Sequence, residues 1–353
     1  MTESPQSLSL DDQIAQAVAA RHAANDDIWA LVRKVKQDKS LTPKARQQIL
    51  TELYSPLSDK DVQQFFAGDA SNYQIGMSFR GSLVHLRRMK WNLLKRGVGI
   101  APGNNSKAKD RRFGASLGIP TPTTYADNVP FADIELLPKS MLKPVRGVAS
   151  QGAFLVDEKL QLHSIRTGKI YADLAAAKKD LAPIRHVISA DAWTVEQIIL
   201  GPDGEPANDV KVLMFYGQHG LVIETDRSRT TVATGVTRQC SYNVDGKPFD
   251  RGNVYTKFVG EGVPDGVIEL AQRVSLATPM PFLRVDFHKG ADGCYLGEIT
   301  PQPGAIYAGL LHEHVDRELG RYFSEAEARL YLDLLKGKSF EHYFRTYEVE
   351  LPL

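Results

Sequence analysis

The sequence predicts an α+β protein whose lobes follow a mostly helical N-terminal region. The length, 353 residues, exceeds what one ordinary core accommodates, so a cleft between lobes is expected. Apolar residues recur at helical spacing before residue 100. After Pro102, short apolar runs broken by Gly and Pro alternate with helical segments, without a strict βαβ repeat. The predicted ranges are a helical region at 1–100, a first lobe at 101–192 and a second lobe at 193–353.

Helix signals are strongest in the N-terminal region. Thr42 and Pro43 are typical of a helix start, Ser58 and Asp61 announce a further helix, and Gly97 is a typical C-cap after the apolar repeat of 78–96. Later helices are predicted at 108–117, 171–181, 265–277 and 325–335, the last with Ser324 as N-cap. Strands are predicted at 140–143, 153–156, 193–199, 210–216, 221–224, 282–287 and 294–299.

Charge and composition exclude several classes of protein. Lys plus Arg total 43 against 42 for Asp plus Glu, so the whole chain gives no reason to expect a nucleic-acid or membrane partner. No leader-like start and no apolar run of membrane-spanning length is present, which favours a cytoplasmic protein, and a homodimer is one open oligomeric state. One local exception is residues 80–112, with ten Lys or Arg and one acid, Asp110. Either a solvated helix face near a nucleotide or a nucleic-acid surface explains it.

A lysine at a strand end and a small-residue loop predict a phosphate site. Lys143 ends the strand 140–143, and the loop Arg146–Gly152 follows. An ammonium and several backbone N–H groups can there meet phosphate oxygens. The order of residues is not that of a Walker loop, and a plain hairpin turn is the alternative.

Three acids in apolar strands are the next signal. Glu196 interrupts the strand 193–199, where adenine or solvent would be its partner. Asp286 and Glu298 lie on two strands joined by a turn at 290–293, so they are expected to point to one place. Two neighbouring carboxylates need a counter-cation, and hard oxygen ligands favour magnesium. Nothing comparable supports zinc at His288, His312 or His314.

Together these segments resemble the ATP-grasp superfamily over about residues 104–310. The resemblance rests on Lys107, Met141–Pro144, Ser150–Gly152, Val195-Glu196, Asp209–Lys211, Arg284–Phe287 and Gly297–Pro301. Within the superfamily, Arg284–Phe287 and Glu298-Ile299-Thr300 are most similar to the branch associated with teichuronopeptide and other polysaccharide biosynthesis. The resemblance implies two α+β lobes that clasp ATP.

It also implies a role for each matching residue. Lys107, with Lys109 as its rival, and Lys143 would bind phosphates. The lid would contain Ser150, Gln151 and Gly152, and adenine would meet Glu196, Gln197 and Ile198. Asp209 or Glu205 would bind ribose, Lys211 a phosphate, and Arg284 the transferred acyl group. Asp286, Glu298 and Thr300 would hold Mg²⁺, two ions being expected. Thr300 stands where the family usually has asparagine, and Gln302 could supply the amide oxygen.

The expected function is ATP-dependent joining of a small-molecule carboxylate to an amine through an acyl phosphate. Arg227, Arg229 and Arg238, in a polar loop, are candidates for recognising the carboxylate, with a solvated loop as the alternative. A small-molecule kinase of the same fold, or a nucleotide- or nucleic-acid-binding module, are the alternative functions. The helical region at 1–100 departs from the usual α/β substrate domain of such ligases and leaves the acceptor site open.

Overall fold

The computed structural model describes residues 9–58, 61, 73, 75–100, 107–145, 150–181, 190–228, 234, 236–252, 256–301, 303 and 311–351. The helices in this part of the chain are α1 (Leu10–Gln37), α2 (Pro43–Tyr54), α3 (Phe79–Leu94), α4 (Lys107–Ser116), α5 (Leu174–Leu181), α6 (Val267–Leu276), α7 (Glu313–Leu335) and α8 (Glu341–Tyr347), with a 3₁₀ turn at Phe131–Asp133. None of these helices is both long enough and apolar enough to cross a bilayer.

Twelve strands form two six-stranded sheets within the described residues. The strands are β1 (Thr124–Val129), β2 (Ser140–Pro144), β3 (Phe154–Val156), β4 (Leu162–Ser164), β5 (Ile170–Tyr171), β6 (Trp193–Gln197), β7 (Asp209–Phe215), β8 (Gln218–Thr225), β9 (Arg238–Tyr242), β10 (Thr256–Lys257), β11 (Leu283–Gly290) and β12 (Gly293–Thr300). The first sheet has the order β1-β6-β2-β3-β4-β5, and the second has the order β10-β9-β8-β7-β11-β12.

The second sheet has one apolar face and one polar face, because its central strands alternate in residue type. Val210, Val212, Val285 and Phe287 are fully buried in the larger core. Helices α3, α6 and α7 cover this apolar face. The opposite face of the same strands therefore carries the polar residues.

Helix α3 lies within the predicted N-terminal region but belongs to the core of the second sheet. Its residues Phe79 and Leu86 are buried there, and the backbone of Ser78 lies against Gly320 of α7. Helices α1 and α2 instead build a small core of their own around Trp29 and Tyr54. The helical region therefore contains two differently packed parts.

The α+β fold with a helical N-terminal region is confirmed, and most predicted elements agree within a few residues. The prediction for α7 is wrong, because this helix begins at Glu313 and Ser324 lies exposed in its middle. Strands β1, β4, β5, β9 and β10 were not predicted. They are short or only partly apolar, so alternation is weak in them. Strand β6 is paired with β1 and β2, although its residues fall in the predicted range of the second lobe. The three domain ranges remain a prediction.

Candidate active site

A buried acid and two cations form the first half of the site. Glu196, on the interior strand β6, is only 3% exposed. Its carboxylate accepts a hydrogen bond from Lys143 Nζ on β2, and Arg111 of α4 lies 3.4 Å from its other oxygen. Burial acts to raise the pKa of Glu196, but Lys143, His288 and Arg111 outweigh it and lower that pKa. Glu196 is therefore an anion held among cations.

Helix α4 is held in position by contacts of Asp110 and Gly114, which lie on the same side of the helix as Lys107 and Arg111. Asp110 is buried and accepts hydrogen bonds from the Ile299 N–H, at 3.2 Å, and from the Tyr347 hydroxyl, at 2.7 Å. Gly114 lets the helix approach Leu296 so closely that a Cβ would collide with it. These contacts tie α4 to β12 and α8. Lys107 and Arg111, one helical turn apart, project together toward the site.

Lys107 links the two sheets electrostatically. Burial, followed by the nearby Lys143, lowers its pKa, while Glu298 and Glu196 act in the opposite direction. An acid of the first sheet and an acid of the second sheet thus both influence the pKa of Lys107. The three cations Lys107, Arg111 and Lys143 outnumber the two carboxylates paired with them, the buried Glu196 and the more exposed Asp127, so this part of the site suits a further anion.

The polar face of the second sheet forms the other half of the site. Opposite residues of antiparallel strands project from the same face, and the register places Lys211, Asp286 and Glu298 in one row across three strands. Arg284 and Thr300 form the next row, and Asp209 and His288 lie opposite each other. The two acids predicted to meet are therefore direct neighbours in the hairpin.

Arg284 and Asp286 form a two-pronged ion pair. Arg284 Nε and Nη2 donate to the two Asp286 carboxylate oxygens at 2.6 and 2.7 Å, and Nη2 is also 3.3 Å from the Thr300 hydroxyl. Lys211 Nζ is 3.7 Å from Asp286 and 3.3 Å from Asp209. This geometry fixes the Arg284 guanidinium beside the carboxylate row.

Asp209 anchors the segment that follows β8. Arg227 donates to its Oδ2 from Nε at 2.7 Å and from Nη2 at 2.5 Å, and His288 Nδ1 lies 3.1 Å from its Oδ1. Burial acts against the charge, yet Arg227 and Lys211 hold the pKa of Asp209 well below its ordinary value. The carboxylate is thus already satisfied by three basic groups.

Glu298 differs from Asp209 and Asp286 in its lack of a basic partner among the described residues. It is partly exposed and has no hydrogen bond or ion pair within 4 Å among the described residues, although it faces Asp286 across the hairpin. A register shift beside this pair leaves Gly297 as the extra residue, packed against His288. An unpaired carboxylate beside a second carboxylate and a hydroxyl offers hard oxygen donors that fit Mg²⁺. No described group of three or more His, Cys, Asp or Glu residues could hold a metal ion, so other donors would complete the shell.

A model of the family described as TupA-like ATPgrasp matches residues 105–324. This range spans α4, both sheets and the acidic hairpin. The chain belongs to that family. The superfamily resemblance and the ATP-grasp fold are thereby confirmed, and the protein is an ATP-grasp enzyme.

Solved structures similar to this ATP-grasp chain are remote. D-cycloserine synthetase DcsG is 13% identical, with 64% of this chain and 71% of that chain covered and a TM-score of 0.36. D-alanine–D-alanine ligase from Bacillus anthracis, complexed with ATP, is 15% identical, with coverages of 69% and 76% and a TM-score of 0.37. L-amino acid ligase from Bacillus licheniformis is 16% identical, with coverages of 63% and 50% and a TM-score of 0.34. No curated protein matches the chain. The family assignment rests on the family model.

Ile198 follows β6, where the ATP-grasp chain passes from the first sheet to the second, and its backbone N–H and C=O are available for a ligand. The Gln197 N–H donates to the Thr123 carbonyl at 2.8 Å, and its side chain accepts from the Thr123 N–H at 3.1 Å. Among the described residues, neither backbone group of Ile198 is hydrogen-bonded. The chain crosses to the second sheet directly afterwards. Of the predicted adenine contacts, Ile198 offers both a donor and an acceptor, whereas the N–H of Gln197 is in use.

The predicted lid is described only from Ser150 onward. Gly152, at a φ of +71°, packs against Pro144, Leu181 and Trp193, so this end of the loop is fixed on the core of the first sheet. The Gln151 side-chain oxygen is buried and accepts no hydrogen bond within the described ranges. Residues 146–149 lie outside those ranges.

Of the two candidate lysines and the predicted arginines, the structure places some in the site and others away from it. Lys109 pairs with Glu348 at 2.8 Å, so the geometry favours Lys107 as the site lysine. Arg227 reaches Asp209 in the site, whereas Arg238 pairs with Asp226 at 3.1 Å and lies over the Phe258 ring. Arg229 and Gln302 lie outside the described residues.

Arg111 was missed in the sequence, and His288 was considered there only as a zinc ligand and set aside. Arg111 follows Lys107 by four residues, a spacing that would have placed both on one helix face. His288 continues the alternation of Arg284 and Asp286, which would have placed it on the same sheet face. Both signals were present, but each needed the element boundaries to be known.

Proposed function

We propose that the protein is an ATP-dependent carboxylate–amine ligase that forms an amide and releases ADP and phosphate. One observation carries the proposal. Helix α4 contacts both halves of the site: Arg111 lies 3.4 Å from Glu196 of the first sheet, and Asp110 accepts a hydrogen bond from the N–H of Ile299 in the second sheet. Ile299 is next to Glu298 in the chain, so this arrangement supports one site for the cations and the carboxylate row. A triphosphate needs cations along its length, and a divalent ion held by acids at its end.

The described residues fit a nucleotide. Lys107, Arg111 and Lys143 supply more positive charge than Glu196 and Asp127 neutralise. The unbonded main-chain groups of Ile198 match the donor–acceptor edge of adenine, and Glu196 is an acceptor for its amine. Lys211, on the second sheet, would meet the phosphate end. Ribose would be met by Glu205 or Asp209, although the Asp209 carboxylate already has three basic partners.

Asp286 and Glu298 would hold Mg²⁺, with Thr300 beside them. When bound, the metal neutralises negative charge on the phosphates and polarises the transferred phosphoryl group. The ion pair with Arg284 fixes the orientation of the Asp286 carboxylate. How many ions bind remains part of the proposal, with two expected.

The chemistry we propose has two steps. An oxygen of the substrate carboxylate attacks the terminal phosphorus of ATP, the bond to the bridging oxygen breaks, and ADP leaves with those electrons. The amine nitrogen then attacks the acyl carbon, phosphate leaves, and the amine loses a proton. Arg284 would stabilise the oxyanion of the second step, and Arg227 would help to position the carboxylate. Arg229 and Arg238 remain further candidates for binding that substrate.

No protein nucleophile is needed, and the cysteines agree with this. Cys294 is buried, and burial raises the pKa of its thiol. Cys240 is partly buried on β9, three strands from β11 in the sheet order. A raised thiol pKa disfavours the thiolate that attack would require.

The test is a screen of ADP release over pairs of carboxylic acids and amines, with mass spectrometry of the products. The narrower resemblance to the polysaccharide-biosynthesis branch places carboxylate-bearing sugars and amino acids first. We expect ADP release that depends on both partners, and a product mass equal to acid plus amine minus water. ADP release with a stable phosphorylated product and no use of amine would instead identify a kinase. The Glu298→Gln variant serves as the blank.

A further inference from the structure

Helices α3 and α7 pack side by side in the same direction. Near their N-terminal ends, the Ser78 hydroxyl donates to Asp316 at 2.7 Å. Further along, His85 Nε2 lies 3.3 Å from Glu327 Oε1. Because residue numbers rise together between these two ties, the helices are parallel and their C-terminal ends lie together.

The helical rise puts two pairs of side chains at matching levels. At about 1.5 Å per residue, Trp91 and Tyr331 lie about 9 and 6 Å beyond the second tie. By the same measure, Leu94 and Leu335 lie about 13 and 12 Å beyond it. All four therefore lie at one end of the helix pair, Trp91 and Leu94 on one face of α3 and Tyr331 and Leu335 on one face of α7.

These four side chains are unusually exposed for their type. Trp91 is 59% exposed, Leu94 57%, Tyr331 64% and Leu335 67%. Val84 of α3 and Leu332 and Leu334 of α7 are also exposed. Large apolar side chains that are exposed together mark an interaction surface, whereas single ones do not.

Positive charge surrounds this apolar group. Arg87, Arg88 and Lys95 lie three or four residues from Trp91, on the same outer face of α3, and Lys95 Nζ is 5.7 Å from the Trp91 ring centre. Residues 80–96 contain six Lys or Arg and no acid. Of the neighbouring acids on α7, Asp333 pairs with Lys338, and Glu327 contacts His85, so one carboxylate at most is set against these six basic residues. The surplus charge is therefore positive.

We propose that this aromatic-basic patch, formed by Arg87, Arg88, Trp91, Leu94, Lys95, Tyr331 and Leu335, docks the protein on an anionic lipid bilayer. Trp and Tyr have an apolar body with a polar edge, which suits the headgroup region, and Leu can insert beside them. Lys and Arg at the rim attract anionic headgroups. Charge complementarity therefore selects a negatively charged surface, and the apolar centre selects lipid over a purely ionic partner.

The patch lies away from the candidate active site. Helices α3 and α7 cover the apolar face of the second sheet, whereas Lys211, Asp286 and Glu298 occupy its polar face. A bilayer bound at the patch would leave the carboxylate row facing away from the membrane. Lipid binding and ADP release can consequently be measured independently, and failure of one leaves the other untouched.

Intrinsic fluorescence gives a direct readout. Of the three tryptophans, Trp29 and Trp193 are 2% and 1% exposed, so a change of emission on vesicle binding reports Trp91. The full chain is titrated with phosphatidylcholine vesicles containing about 30 mol% phosphatidylglycerol, and with pure phosphatidylcholine vesicles. We expect a blue shift and co-sedimentation with the anionic vesicles only, weakened by high salt.

Matched variants separate the two parts of the patch. Removing the charges with Arg87→Gln and Lys95→Gln together should weaken partitioning about 25-fold, at about fivefold per charge. Leu335→Ser should weaken it about tenfold through lost apolar insertion. Lys139→Gln, an exposed lysine next to β2, removes the same kind of charge elsewhere and should change binding less than about twofold. Circular dichroism confirms that each variant is folded.

Three results would overturn the proposal. The first is equal or absent binding to both kinds of vesicle. The second is binding to single-stranded RNA that the same charge variants abolish while anionic vesicles remain unbound. The third is self-association that Leu335→Ser abolishes without any vesicle binding, which would assign the patch to a second copy of the chain.

Discussion

The two halves of the candidate site are built on different principles. In the first sheet, one buried acid, Glu196, sits among cations that come from a helix and a neighbouring strand. In the second sheet, the functional side chains follow the strand alternation, and antiparallel register alone brings Lys211, Asp286 and Glu298 together. The first half is a tertiary cluster, and the second is a property of regular β-structure.

This difference has consequences for stability. Glu196 would be an uncompensated buried charge without its cations, so the first half contributes to folding as well as to binding. Glu298 has no ion pair among the described residues, and its loss should scarcely affect folding. Variants in the two halves are therefore expected to differ in how binding and stability change together.

The largest effect is expected at the carboxylate row. Glu298→Gln and Asp286→Asn should each lower the rate of ADP release by about a thousandfold, because each removes an oxygen donor and a negative charge from the proposed metal site. Glu298→Gln should change the free energy of unfolding by less than about 0.5 kcal/mol. Steady-state kinetics measure the rate of ADP release, and urea unfolding measures the free energy of unfolding. Wild-type turnover in both variants would contradict the site assignment.

Lys143→Gln should instead affect both quantities. It leaves Glu196 with one fewer cation, so we expect a loss of about 3 kcal/mol in the free energy of unfolding. The ATP concentration for half-maximal rate should rise about tenfold to a hundredfold. Lys139→Gln, four residues earlier and paired with Glu158 on the surface, is the matched control and should do neither. An unchanged ATP requirement in Lys143→Gln would contradict the claim that the first half of the site serves both nucleotide binding and folding.

Asp110→Asn tests the anchor that orients α4. The amide cannot satisfy both the Ile299 N–H and the Tyr347 hydroxyl as the carboxylate does, so a loss of about 2 kcal/mol is expected. Tyr347→Phe removes only one of these bonds and should lose about 1 kcal/mol. ATP binding should weaken with Asp110→Asn, since Lys107 and Arg111 share the helix. Equal stability losses in the two variants would contradict the role given to the Ile299 contact.

The smallest expected effect is a gain in stability, on replacement of Lys107. Burial and Lys143 lower the pKa of Lys107, so its protonated form is disfavoured in the folded chain, and its charge costs stability at pH 7. Lys107→Met should therefore raise the free energy of unfolding of the nucleotide-free protein, by less than about 1 kcal/mol. The gain should shrink as pH rises toward the ordinary lysine value of 10.5. Lys109→Met, which breaks a surface pair with Glu348, should give no gain. Thermal unfolding at several pH values measures this.

Much of the second half of the site could be predicted from sequence, and much of the first half could not. The alternation of Arg284, Val285 and Asp286, with glycines at the turn, was enough to place the hairpin and its acids. Arg111 was missed because only the packing of α4 on β12, through Asp110 and Gly114, points it at Glu196. Helix α7 was predicted to begin twelve residues late, because no side chain caps its start and Ser324 looked like a cap. Local chemistry predicted elements, whereas tertiary contacts decided which of them meet.

The central claim is that both sheets contribute to one nucleotide site. A double-mutant cycle of Lys107→Met and Glu298→Gln, with calorimetric titration of Mg²⁺ and ATP, tests it most directly. If the two residues serve one site, the loss of binding free energy in the double variant should differ from the sum of the single losses by at least about 1 kcal/mol. Additive losses, within about 0.5 kcal/mol, would show two independent sites and contradict the account.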